Sequence, residues 1–169
     1  GPGKSEATIT FAGEGAEAAR AKLVKEGNLI HLLGDAADLG PLRVVPDYRH
    51  LGTINSSNGS IRPEIQARRQ AASAERKSLA RYFRNKAINA ANRTNLVDSV
   101  GLSIITYNAA SWPPLTSAVE RSLHTEYESW VRQAFGHVRG PEERTTFRQL
   151  TVDHNVTQLK HAIRVLRLR

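Results

Sequence analysis

No cysteine and no methionine occur among the 169 residues, and the aromatic share is only 6%. Without thiols there is neither a disulfide nor a thiolate zinc site. So few aromatics cannot interleave with the many arginines to make a stacking platform for single strands. No apolar run approaches the roughly 20 residues that cross a bilayer, and no secretory segment opens the chain. The expectation is an intracellular protein with no membrane partner. Methionine is missing even at position 1, so Gly1-Pro2-Gly3 reads as a cleavage scar or an internal slice, with an upstream piece expected. Carboxylates are dispersed as well. The five aspartates, Asp35, Asp38, Asp47, Asp98 and Asp153, include no adjacent pair, whereas two-metal phosphoryl transfer needs clustered ligands. The six histidines lack the close helical spacing of zinc sites. A complete polymerase or nuclease site is therefore not expected, nor is a bound metal or cofactor.

What the chain does have is positive charge, unevenly placed. Net charge is +8 overall, yet residues 1–60 and 95–155 are slightly acidic. Residues 61–94 carry nine basic side chains (Arg62, Arg68, Arg69, Arg76, Lys77, Arg81, Arg84, Lys86 and Arg93) against Glu64 and Glu75. Residues 156–169 add four more with no acid. A field concentrated in this way steers and holds polyanions. The competing reading is a solvated face kept basic for solubility, although such faces usually intersperse both signs.

The pattern predicts an α+β fold, mostly α, in which a small sheet or hairpin unit is followed by a helical bundle. Ala7–Phe11, Asn28–Leu33, Leu42–Val45 and Tyr48–Ile54 read as strand material, with a helix over Ala16–Lys25. Asn58-Gly59 signals a turn between Ile54 and Ile61. Helices follow. Pro63 and Glu64 suit a first turn, and Ile65, Ala72, Leu79 and Phe83 form a narrow apolar stripe on a basic rod. Asn92 or Thr94 caps a second helix, buried through Leu96, Val97, Val100, Ile104 and Ile105, which Trp112-Pro113-Pro114 stops. Ser117 with Glu120 reads as a capping box for a third helix, lined by Val119, Leu123, Tyr127, Trp130 and Ala134 and ended by Gly136. Pro141 opens a fourth helix, and Gln158–Leu168 makes a basic amphipathic fifth.

Two phosphate motifs compete with the basic helix. Gly3-Lys4-Ser5 holds the end of a phosphate loop, but its first glycine is missing and β-branched residues follow where a helix is needed. Gly13-x-Gly15-x-x-Ala18, then a helix, a strand and Asp35, has the order of a dinucleotide-binding unit. Against it, Glu14 would face the pyrophosphate, and no further βα units follow. A small dinucleotide-binding domain on Gly13–Asp35 and a basic helical protein-interaction module thus stand as alternatives. The leading reading is a helix presenting Arg62, Arg68, Arg69, Arg76, Lys77, Arg81 and Arg84 to the phosphates of a duplex, which positions nucleic acid without reading its sequence.

Tyr48-Arg49-His50-Leu51-Gly52 resembles the Tyr-x-Tyr-Leu-Gly stretch of reverse transcriptases from retrotransposons lacking long terminal repeats. The surrounding order agrees. Gly3-Lys4-Ser5-Glu6 is similar to the Lys-Thr-Glu stretch after that family's catalytic strand pair. Asn58-Gly59-Ser60 with Glu64-Ile65-x-x-Arg68-x-x-x-Ala72 looks like the start of its thumb. Ile105 to Trp112 resembles the Leu-Tyr-Gly-x-x-x-Trp end of a thumb helix, with Asn108 in place of the usual glycine. Arg164 to Arg169 looks like a basic helix beyond the thumb.

The resemblance implies a late palm piece with a primer-grip hairpin over 1–60, thumb helices over 61–115 and a helical extension over 116–169. It implies that Tyr48, His50, Leu51 and Gly52 touch the primer 3′ end, and that the helix spanning 62–86 tracks an RNA–DNA or RNA duplex. Lys4 would be the late-palm lysine, giving a proton to departing pyrophosphate or ordering the palm. Fingers, metal-binding aspartates and magnesium would belong to an N-terminal portion of the parent protein. The chain alone is then a binding module of an RNA-directed DNA polymerase, without turnover.

Overall fold

The computed structural model describes residues 6–33, 38–136 and 145–168. It is mostly helical with a small amount of sheet. The backbone divides into two compact units, 1–64 and 65–169.

The first unit holds the strands. β1 (Glu6–Ala7) pairs in parallel with β3 (Asp38–Val44), and β2 (Leu29–Leu33) pairs antiparallel with β3, giving the order β1-β3-β2. The predicted strand over Ala7–Phe11 is therefore much shorter than its β-branched run suggests. Helix α1 occupies Ala16–Lys25, as its Ala, Glu and Lys content predicts. Leu23 and Val45 are the buried apolar side chains among those described in this unit.

A separate ribbon pairs β4 (Asp47–His50) with β5 (Thr53–Ser56), in register Tyr48↔Asn55 and His50↔Thr53. Its tight turn is Leu51-Gly52, not Asn58-Gly59. Both turn residues have positive φ, 47° at Leu51 and 83° at Gly52, which matches the right-handed twist of the flanking strands. Asn58 instead shapes the exit from β5, where its side-chain oxygen accepts from Ser56 Oγ and the Ser60 N–H.

The second unit is helical. Helix α2 (Arg62–Ser78), which begins at the end of the first unit, is followed by α3 (Ala80–Arg84). Bonds from Leu79 N–H to Glu75 O and from Phe83 N–H to Leu79 O keep the helical pattern across the joint. Then α4 (Ala90–Leu96) runs through a π-helical stretch (Val97–Leu102) into α5 (Ser103–Ile105), and a 3-10 turn (Ala109–Ser111) follows. The cap of α4 is Asn89, whose side chain accepts the Asn92 N–H. Asn92 and Thr94, the expected caps, sit within the helix, and Thr94 Oγ1 bonds instead to His154 O.

Helix α6 (Ser117–Phe135) is the centre of this unit, with Leu123, Tyr127, Trp130, Val131 and Ala134 almost wholly enclosed. It packs on α3, α4, the π stretch and α7 (Phe147–Asp153). Its cap is Thr116, one residue before the Ser117 expected from the sequence. The reciprocal capping box belongs to α7, where Thr146 and Gln149 each satisfy the other's backbone N–H. Pro141 lies outside the described residues. Helix α8 (Leu159–Arg167) seats on the 3-10 turn.

Candidate nucleic-acid interface

Helix periodicity sorts the arginines of α2 into two populations. Ile65 and Ala72 are buried, and the series Ile65, Arg69, Ala72, Arg76, at spacings of four, three and four, lies on the same inward stripe. Arg76 is committed there. Its Nε lies 3.2 Å from Glu126 Oε1, its Nη1 donates to Gln133 Oε1 at 2.9 Å, and Gln133 returns a bond to Arg76 O. Arg69 is half-buried, and its Nε is buried without a hydrogen-bond partner among the described residues. Arg68 places its guanidinium 4.4 Å from the centre of the Tyr107 ring, a cation–π contact. Arg93 is enclosed too, 7% exposed, and its guanidinium donates to the carbonyls of Phe83, Asn85, Ile88 and Ala134. Binding the Phe83, Asn85 and Ile88 carbonyls, it fixes the chain that leaves α3.

Within residues 61–94 the exposed cations are Arg62, Lys77, Arg81, Arg84 and Lys86. Lys77, Arg81 and Arg84 are spaced i, i+4, i+7 along the α2–α3 rod and so share one face. None of these five forms an ion pair among the described residues, whereas Arg43, Arg76 and Arg132 each hold a carboxylate. The rest of the outward side of α2 is Gln66, Gln70, Ala71 and Ala74. The exposed positive field is thus concentrated at residues 77–86 rather than spread over the whole helix.

The β4–β5 ribbon assembles the other candidate group. Tyr48 and His50 lie on one face with ring centroids 6.1 Å apart and planes 22° apart. Leu51 is 81% exposed at the tip. A bulky residue with φ of 47° costs roughly 1–2 kcal/mol relative to ordinary backbone, so the tip is strained as well as apolar. Behind it, the fully buried Glu64 accepts the Ile54 N–H at 2.7 Å, tying β5 to the first turn of α2. The sequence shows Glu64 as a favourable first-turn acid; its bond to the ribbon has no sequence signal.

Lys4 lies outside the described residues, as does Asp35. The strand order bears on the dinucleotide alternative. In a βαβ unit the strand after the helix lies parallel to the first. Here β2 runs antiparallel to β3, the partner to which β1 is parallel. Among the described residues no three His, Asp or Glu side chains gather to hold a metal, and no helix is long and apolar enough to cross a membrane. Compared with known protein families, curated proteins and solved structures, the chain matches none of them. The class that can be stated is a mostly helical α+β chain with a small sheet.

Proposed function

We propose that this chain holds a nucleic-acid duplex by its backbone, as the primer-grip and thumb portion of a retrotransposon-type reverse transcriptase. The observation that carries the first part is the set of exposed cations at Lys77, Arg81, Arg84 and Lys86, which form no ion pair among the described residues, along and just beyond a rod on which Arg76 is held by Glu126 and Gln133. The seven residue steps from Lys77 to Arg84 cover about 10 Å at about 1.5 Å per step, enough to meet about three successive phosphates of one strand.

Two observations support the family reading. Asn108, which stands where the family pattern has glycine, takes φ of 59°, a conformation that glycine favours and asparagine tolerates. The Tyr48–Gly52 segment forms a tight hairpin with a strained, exposed leucine at its tip, an arrangement that folding alone does not reward. In this reading Tyr48, His50, Leu51 and Gly52 meet the primer 3′ end. Magnesium and the aspartates that hold it belong to the parent's palm.

A photoreactive base at the primer 3′ terminus of an RNA–DNA hybrid tests the assignment. Crosslinks should map to the peptide spanning 47–56, with backbone probes reaching 77–86. Crosslinking confined to 77–86 would leave duplex holding in place and remove the primer-grip role. Preference for single strands over the hybrid would contradict both.

A further inference from the structure

Helix α8 repeats the spacing of the first cationic stripe. Lys160, Arg164 and Arg167 stand at i, i+4, i+7, as Lys77, Arg81 and Arg84 do, and all three are exposed. No acid follows Asp153 in the sequence, and Lys160 and Arg164 form no ion pair among the described residues. The opposite side of the helix is apolar: Leu159 is buried and Ala162, Ile163, Val165 and Leu166 are half-buried, against a helix end that seats on the 3-10 turn.

The helix is also fixed at both ends. At its start, Asp98 accepts the Thr157 hydroxyl at 2.8 Å and the Thr157 N–H, while Tyr127 Oη donates to Thr157 O at 2.5 Å. At its end, Arg167 Nη2 donates to Trp112 O at 2.8 Å. A solvated tail has no need of such anchoring. An amphipathic membrane helix must free its apolar side for lipid, and here that side is turned to the protein.

We infer that α8 is a second, preorganised rail for nucleic-acid phosphates, on which Lys160 and Arg164 contact the backbone while Arg167 chiefly anchors the helix. The inference rests on the duplex-holding function proposed above and adds a partner surface to it. Each lost phosphate contact removes about 0.9 from the log–log salt slope, so losing two flattens it by about 1.8.

The test is the salt dependence of binding of the whole chain to a labelled RNA–DNA hybrid, for the wild type, for Lys160→Ala/Arg164→Ala and for Lys77→Ala/Arg81→Ala/Arg84→Ala. Melting temperature is measured for each. The α8 variant should melt like the wild type and lose about 1.8 of slope, which shrinks the affinity drop between 50 and 200 mM salt about twelvefold. An unchanged slope for the α8 variant, with a flattened one for the α2–α3 variant, overturns the second rail and leaves duplex holding intact. No binding by the wild type overturns both. Polyglutamate competing as well as hybrid, or equal binding to vesicles rich in phosphatidylserine, overturns nucleic acid as the occupant of α8.

Discussion

Gly101 lies against the indole of Trp130 so closely that a Cβ at 101 would stand 2.7 Å from Cδ2 of the ring. The indole cannot retreat, because Trp130 is wholly buried and its Nε1 donates to Ala72 O at 3.1 Å. The contact occurs inside the π-helical stretch, and it joins α6 to the long α2 helix on one side and the α4–α5 segment on the other.

Gly101→Ala should therefore destabilise the chain, although alanine favours a helix by about 1 kcal/mol over glycine. Overpacking a closed core costs typically 1–3 kcal/mol. A net loss is expected, read as a melting temperature lowered by several degrees. A rise in melting temperature would show that the ring yields.

Neighbouring residues on α2 should behave oppositely. Arg76→Ala strands Glu126 and Gln133 and should cost about 1–3 kcal/mol of stability while leaving the salt slope of binding unchanged. Lys77→Ala touches no partner among the described residues. It should leave stability within about 0.5 kcal/mol and flatten the slope by about 0.9. Denaturant melts and a salt titration on both variants check the pair, and reversed roles would refute the inward placement of Arg76.

Burial, with Asp98 beside it, pushes the Tyr127 phenol far above its ordinary range. The folded protein then holds this proton where the unfolded chain releases it. Stability from this group is fully present below pH 10, the unfolded value, and is lost as pH rises beyond it, by up to about 1.4 kcal/mol per unit. Tyr127→Phe should remove that alkaline slope and cost about 1–2 kcal/mol near neutrality through the lost bond to Thr157 O. Urea melts at pH 8, 10 and 11 separate the two effects.

The ribbon tip offers a trade of stability against binding. Leu51→Asn replaces a strained, exposed leucine by a residue that tolerates positive φ, and should stabilise the chain by up to about 1 kcal/mol. If the tip meets the primer end, the same change weakens binding to a recessed hybrid more than to a blunt one. Equal affinity for both ends in wild type and variant would remove the tip from the interface.

Much of the helical architecture was legible because its signals are local and periodic. Helix α1 stands where its composition puts it, and the inward face of α6 and the amphipathic α8 stand where residue spacing puts them. The caps of α4 and α6 were displaced by three or more residues and by one, since several Asn, Ser and Thr compete at each start and tertiary partners choose among them. The ribbon turn escaped because Leu51 is a poor left-handed residue, while Asn58-Gly59 has the stronger local signal. For the candidate interface, charge density pointed to residues 61–94 but not to which of their side chains are exposed. Arg69 and Arg76 read as phosphate ligands by type, and Arg93 adds to the same basic run. They face inward because helix phase or a set of carbonyls claims them, and the partners of Arg76, Glu126 and Gln133, are fifty or more residues away in sequence.

The most direct measurement is the log–log salt slope for the whole chain binding an RNA–DNA hybrid, with Lys77→Ala/Arg81→Ala/Arg84→Ala alongside. Contacts to four phosphates by the 77–86 cations alone predict a slope of about −3.6, any second rail making it steeper, and the variant should lose about 2.7 of it. A wild-type slope near zero, or a variant indistinguishable from wild type, would contradict the account that this chain holds a duplex through the cations of α2–α3.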